Sequence, residues 1–371
     1  MESKKNGNLA KLVAFFLTVS VLIAAIAFSA GGWQGDLLGP DSGNSEEDNI
    51  PTIGDADENT DGDGDTQGDP DIPEKIIYTS YITGLEITEE ESFLKPLCIL
   101  FDSNAPMYGI SSSFLTVEIP VENGNTRMLA FTNDATKLGK LGSCAPTRAY
   151  ISNIAKYFGG VLVSMGSDDQ FTYPAFEYKG GYIDFSSESG YHYTEYGEHC
   201  YTNADLIGAY IKNCAISTVK QDNVTAPYIF SNNPDRTGDI TANTVLISFD
   251  KGSTSELIYS ADDGKYLLKK NSVSITDRLN DKEAAYDNVF VLYSDATTHE
   301  TRDATQLVLD TKSGGSGYYI RAGKAMNITW STNENGELRF YGESGETLEV
   351  LPGEAYIAFA KSSQIENTKI A

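Results

Sequence analysis

Histidine and cysteine are scarce in this chain, at three and four residues in 371. With only His192, His199 and His299, a histidine-based metal centre is not expected, and neither is a cofactor. Cys98, Cys144, Cys200 and Cys214 have no zinc-ligand spacing. Their even number suits disulfides in an oxidising compartment, with three pairings open. It suits small buried side chains equally well, and Cys98 inside the apolar stretch KPLCILF fits that reading. No G-x-S-x-G, Walker or G-x-G-x-x-G pattern occurs, and nothing local supports Cys144 with His199 as a nucleophile and base. Basic residues are also few: 27 Lys and Arg against 53 Asp and Glu, a net charge of −26. That balance excludes a nucleic-acid-binding face and repels anionic lipid.

What is present begins with Leu12–Ala30, nineteen residues without a charge, preceded by Lys4, Lys5 and Lys11. About 20 apolar residues cross a bilayer, and the lysines hold the N-terminus in the cytoplasm. A single uncut membrane span within residues 1–33 is therefore expected, with the rest of the chain extracytoplasmic. The rival is a cleaved signal peptide, for which Ala27-Phe28-Ser29 is a passable site. The run is longer than the usual h-region. From Gln34 to Glu74 there are 14 acidic and no basic residues. Such a stretch cannot offset its ordering entropy, so 34–74 is expected to be a disordered acidic tether of roughly 35 Å. Asp57–Asp63 resembles the start of a calcium loop, but the twelfth position is Gly68 and no helical period flanks it.

From Ile76 the apolar pattern predicts a folded region. Strands are expected at 97–101, 115–121, 128–131 and 161–163, and helices at 147–158 and 203–213, the latter capped by Thr202. Beyond Ala226 short strands follow one another, punctuated by Asp263-Gly264, Asn335-Gly336 and Ser344-Gly345. The expected fold class is thus an α+β N-terminal domain over 76–222, then a mainly antiparallel β domain over 226–362.

The densest polar signal is Glu118-Ile-Pro-Val-Glu122-Asn-Gly124-Asn-Thr126-Arg127. A two-residue Asn123-Gly124 turn would pair Glu122 with Asn125 and put Glu118, Glu122 and Arg127 on one face. Arg127 could then take a planar anion or sugar hydroxyls. The alternative is a solvated sheet face with cross-strand ion pairs. Two carboxylates at 5–10 Å could also perform glycosidase acid/base work. The Tyr-rich segment YHYTEYGEHCY could stack on sugars or aromatics, or serve as an ordinary loop.

This segment resembles the E-x-P-V-E-G-G-x-T-R signature of the YerB-like bacterial lipoprotein family, whose two domains have no assigned function. Pro96–Asp102 with Asn104, Gly142–Ala155 and the Gly317–Gly353 region extend the resemblance over about residues 90–362. The family's R-S-A-R stretch falls on Ala145-Pro146-Thr147-Arg148, its histidine on Ser164, and its P-H-N-L-Y stretch on Glu198-His199-Cys200-Tyr201. The membrane span stands where the family has a lipid-attachment cysteine. The resemblance carries over Asp102, Glu118, Glu122, Thr126, Arg127 and Arg148 as ligand-binding residues. The lost arginine and histidine point to binding ahead of catalysis. The expected function is a membrane-tethered binding or scaffold protein of the bacterial cell envelope. Its partner would be a cell-wall polymer or another envelope protein. The alternative is an envelope-polymer hydrolase using Glu118 and Glu122.

Overall fold

A computed structural model describes residues 76–133, 139–167, 181–186, 190–195, 199–233, 238–300 and 305–371. The expected span, tether and calcium-like segment lie outside these residues. No helix among the described residues is long and apolar enough to cross a membrane.

The first half contributes β1 (Leu97–Asp102), β2 (Leu115–Pro120), β3 (Thr126–Thr132), β4 (Leu141–Cys144), helix α1 (Ala149–Tyr157), β5 (Val161–Ser164), β6 (Tyr182–Asp184), β7 (Tyr193–Glu195), β8 (His199–Thr202) and helix α2 (Ala204–Asn213). The second half contributes β9 (Thr244–Asp250), β10 (Ser253–Ser260), β11 (Lys265–Lys270), β12 (Asn288–Ser294), β13 (Ala296–Glu300), β14 (Thr305–Leu309), β15 (Gly315–Arg321), β16 (Lys324–Thr332), β17 (Leu338–Tyr341) and β18 (Ala355–Lys361). Asn203, not the expected Thr202, caps α2, because its side chain accepts from the Leu206 N–H at 2.9 Å. Thr202 instead ends β8 and donates to the Tyr191 carbonyl.

The fold is mostly antiparallel β with few helices. Among the described residues one sheet of 14 strands runs through both halves, in the order β16-β15-β12-β18-β2-β3-β1-β4-β8-β7 along its main path. The seam is a pair of parallel junctions. β18 pairs with β12 on one side and with β2 on the other, Ile357 lying opposite Val117. The boundary expected between 222 and 226 therefore does not interrupt the sheet, and residues 73–371 form one compact unit.

Strands β2, β12 and β18 are buried on both faces, which is why β12 and β18 are mostly apolar without alternation, while β2 carries the buried polar residues Thr116 and Glu118. One face, carrying Ile99, Phe101, Met128, Val291 and Ala358, packs on a second sheet built from β9, β10 and β11 through Ile247, Leu257 and Leu268. That sheet alternates buried and half-buried positions, having one dry side only. The other face, carrying Leu100, Leu129, Phe290 and Ile357, packs on α1 through Ile151, Ile154 and Phe158. The spacing of these three helix residues puts them on one stripe.

Candidate functional site

The β2–β3 connection sets the geometry. Pro120 pairs with Thr126, Ile119 with Arg127 and Glu118 with Met128. The loop is five residues long, closed by Val121 N–H to the Asn125 carbonyl at 2.9 Å and by Asn125 N–H to the Glu122 carbonyl at 3.2 Å. Asn123 (φ 59°) and Gly124 (φ 73°) are both left-handed, which Asn-Gly tolerates. The turn residues are those the sequence indicated, but the expected Glu122–Asn125 strand pair is not formed. Glu122 lies in a 3₁₀ turn, and the register puts Glu118 and Arg127 on opposite faces of the sheet.

The expected convergence of Asp102, Glu118, Glu122, Thr126, Arg127 and Arg148 is therefore corrected: they divide into two groups with the sheet between them. Glu118 and Thr126 face the second sheet, and both are fully buried. Glu118 accepts from Thr126 Oγ1 at 2.6 Å, Ser255 Oγ at 2.7 Å, Lys270 Nζ at 2.6 Å and Tyr356 Oη. Burial alone would push its carboxyl up. The Lys270 ammonium and the hydroxyls outweigh that and hold it below the usual carboxylate range. All four donors are internal, so this carboxylate is a tie between the two sheets. Lys270 lies 152 residues from Glu118 in sequence, and no local spacing signals the partnership.

Asp102, Glu122, Arg127 and Arg148 lie on the α1 side. Arg148 is the N-cap residue of α1. Its guanidinium grips Glu122 with a fork, Nε to Oε1 at 3.0 Å and Nη2 to Oε2 at 2.9 Å. The Leu307 N–H of β14 also donates to Glu122 Oε1, at 3.1 Å. Burial acts against ionisation of Glu122, but Arg148 and this N–H hold its carboxyl below the usual range. Asp102 lies opposite Arg127 across β1 and β3, and its Oδ1 accepts from the Asn104 N–H.

Arg127 differs from its neighbours. It is half-buried, and its Nε is buried without a hydrogen-bond partner. Among the described residues no carboxylate lies within ion-pair distance of it, although Asp102 and Glu122 attract it from farther off. Burial, then the neighbouring Arg148 charge, lower its proton affinity. Glu122 is already engaged by Arg148, so the pair of guanidiniums is left with one free fork. Such a fork donates two parallel hydrogen bonds to the oxygens of a carboxylate or a phosphoryl group. Tyr150 borders the group from α1, its hydroxyl donating to the Pro120 carbonyl at 3.0 Å.

The described residues of the Tyr-rich segment supply β7 and β8 at one end of the sheet. Tyr201 does not offer an open stacking face: Lys140 Nζ sits 4.1 Å from its ring centre and 4.0 Å from that of Tyr108. Ser164, where the family has a histidine, is fully buried, and its hydroxyl meets that of Tyr182 at 3.0 Å. Among the described residues no three His, Cys, Asp or Glu side chains gather as a metal site.

Residues 245–357 match the family described as protein of unknown function (DUF3048), C-terminal domain. The crystal structure of the YerB protein from Bacillus subtilis has the same fold, with a TM-score of 0.68 and 19% identity. The match covers 79% of this chain and 99% of that one. Residues 245–357 are thus similar to the DUF3048 C-terminal domain, and the likeness to YerB extends the shared fold over most of the chain. No curated protein matches the sequence.

Proposed function

We propose that the chain is an exported, membrane-tethered binding protein of the bacterial cell envelope whose ligand presents an anionic group to Arg127. The unpaired Arg127 guanidinium carries this reading. A half-buried charge without a partner is destabilising, and an anion arriving from outside supplies the missing partner. The apolar run at 12–30 and the acidic stretch at 34–74 support the tethered placement. The α+β reading of the first half belongs to the same proposal, with α1 supplying Arg148.

The hydrolase alternative is less well supported. Glu118 and Glu122 face opposite sides of the sheet, so they do not flank one scissile bond. Both carboxyls are held ionised, whereas a general acid needs its proton near neutral pH.

The test is calorimetric titration of residues 76–371 with carboxylate-bearing and phosphodiester-bearing wall-polymer fragments. Arg127→Ala should abolish binding. Arg127→Lys keeps the charge without the fork, so affinity should fall at least about tenfold. Equal binding by wild type and the Lys variant would remove Arg127 from the site. Binding by neither wild type nor variants, across both fragment classes, would reject the anion reading.

A further inference from the structure

Four thiols are present, and the strand register separates them. In the antiparallel pair β4–β8, Cys144 is the register partner of Cys200, and a β-bulge follows between Cys200 and Tyr201. Register partners of antiparallel strands have Cα atoms ~4.5–5.5 Å apart, within the ~4.4–6.8 Å that a disulfide spans. The two sulfurs also interact electrostatically, Cys200 adding to the effect of burial on Cys144. The other two cysteines have no such neighbour. Cys98 is fully buried on the α1 side of the sheet, whereas Cys144 belongs to the core on the opposite side. Cys214 is exposed at the end of α2.

We propose that Cys144 and Cys200 are a disulfide-forming pair, closed by thiol–disulfide exchange with a small-molecule disulfide and tying β4 to β8. Cys200 is partly accessible, whereas Cys144 is only 6% exposed and burial pushes its thiol up to about 12. Cys200 therefore attacks first. Its thiolate breaks the external S–S bond, forms a mixed disulfide and releases one thiolate. The Cys144 sulfur then attacks the Cys200 sulfur, forming the internal bond and releasing the second. Both protein thiols give up their protons, which the two departing thiolates take. The external disulfide gains the two electrons. The inference rests on strand register and is independent of the Arg127 site.

The experiment treats the reduced full chain, in detergent, with glutathione disulfide. Denaturing alkylation and peptide mass mapping without reduction follow. The expected result is one cross-linked peptide pair joining Cys144 to Cys200, lighter by two hydrogens than the two reduced peptides. The Cys98→Ser/Cys214→Ser double variant should form the same link to the same extent. Cys200→Ser should lose it and leave Cys144 alkylatable. Full alkylation of Cys144 in oxidant-treated wild type would overturn the proposal. So would a link from Cys200 to Cys214 or to a second chain.

Discussion

Two charged residues on adjacent strands, Glu118 and Arg127, have opposite consequences for stability. Glu118 has four internal donors, so the change that exposes its role is removal of its counter-charge. Lys270→Met should destabilise by about 3–5 kcal/mol in urea unfolding, because it strands a buried carboxylate. Glu118→Leu combined with Lys270→Met should cost less than the two single changes summed, since each partner's charge penalises only the other's loss. Among the described residues Arg127 has no ion-pair partner and its Nε no acceptor, so Arg127→Met should raise stability by about 1 kcal/mol, measured the same way, while abolishing anion binding. Both carboxyls at 118 and 122 titrate below their ordinary value in the fold. The stability they contribute is fully present above the unfolded carboxylate pKa of about 4.3. It is lost as pH falls through their lower folded values. Acid unfolding of wild type should steepen below about pH 4, and the Glu118→Leu/Lys270→Met variant should show a shallower loss.

At the scale of elements, loops that cross between the sheets determine how the strands are held. The 3₁₀ turn Ile110–Ser112, before β2, is fastened to the second half by Asp277. That buried carboxylate accepts from Gly109 N–H, Ser111 N–H and Leu279 N–H at 2.9 Å each, and from Ser111 Oγ at 2.7 Å. Asp277→Ala should cost about 1–3 kcal/mol in denaturant unfolding, since it leaves the buried Gly109 N–H and the part-buried Ser111 donors without their acceptor. Asp277→Asn should cost nearly as much, because an amide NH₂ would face donors. Asn123-Gly124 correctly signals a turn, but turn length is set by how β2 and β3 pair along their whole length. Three extra loop residues move Glu122 off the strand and onto Arg148. The helices at 149–157 and 204–213 and the strands expected at 97–101, 115–121, 128–131 and 161–163 fall where their periodicity placed them, and short strands follow one another beyond 226. Strands such as Leu141–Cys144 and Tyr193–Glu195 are short and polar, and carry too little apolar alternation to be recognised.

For the whole molecule, the shared sheet predicts shared folding. Residues 76–222 and 226–362, expressed separately, should each lack dispersed amide shifts, because β2 and β18 would each expose an edge buried in the whole chain, and Glu118 would lose Lys270. Residues 76–371 should give a single cooperative transition. A well-dispersed spectrum from either half alone would contradict this. What the sequence by itself determined was local: the strands and helices, the acidic balance, the charge-free run and the presence of a special polar hairpin. Those follow from periodicity and residue chemistry within a few turns of chain. Tertiary structure alone decided which of the hairpin's residues share a face. It decided that Lys270 neutralises Glu118, that Arg148 takes Glu122, and that Arg127 is left over. Each outcome depends on pairings between residues up to 152 positions apart. Side-chain facing reverses with every one-residue change of register, and register is settled by packing on both sides of the sheet at once.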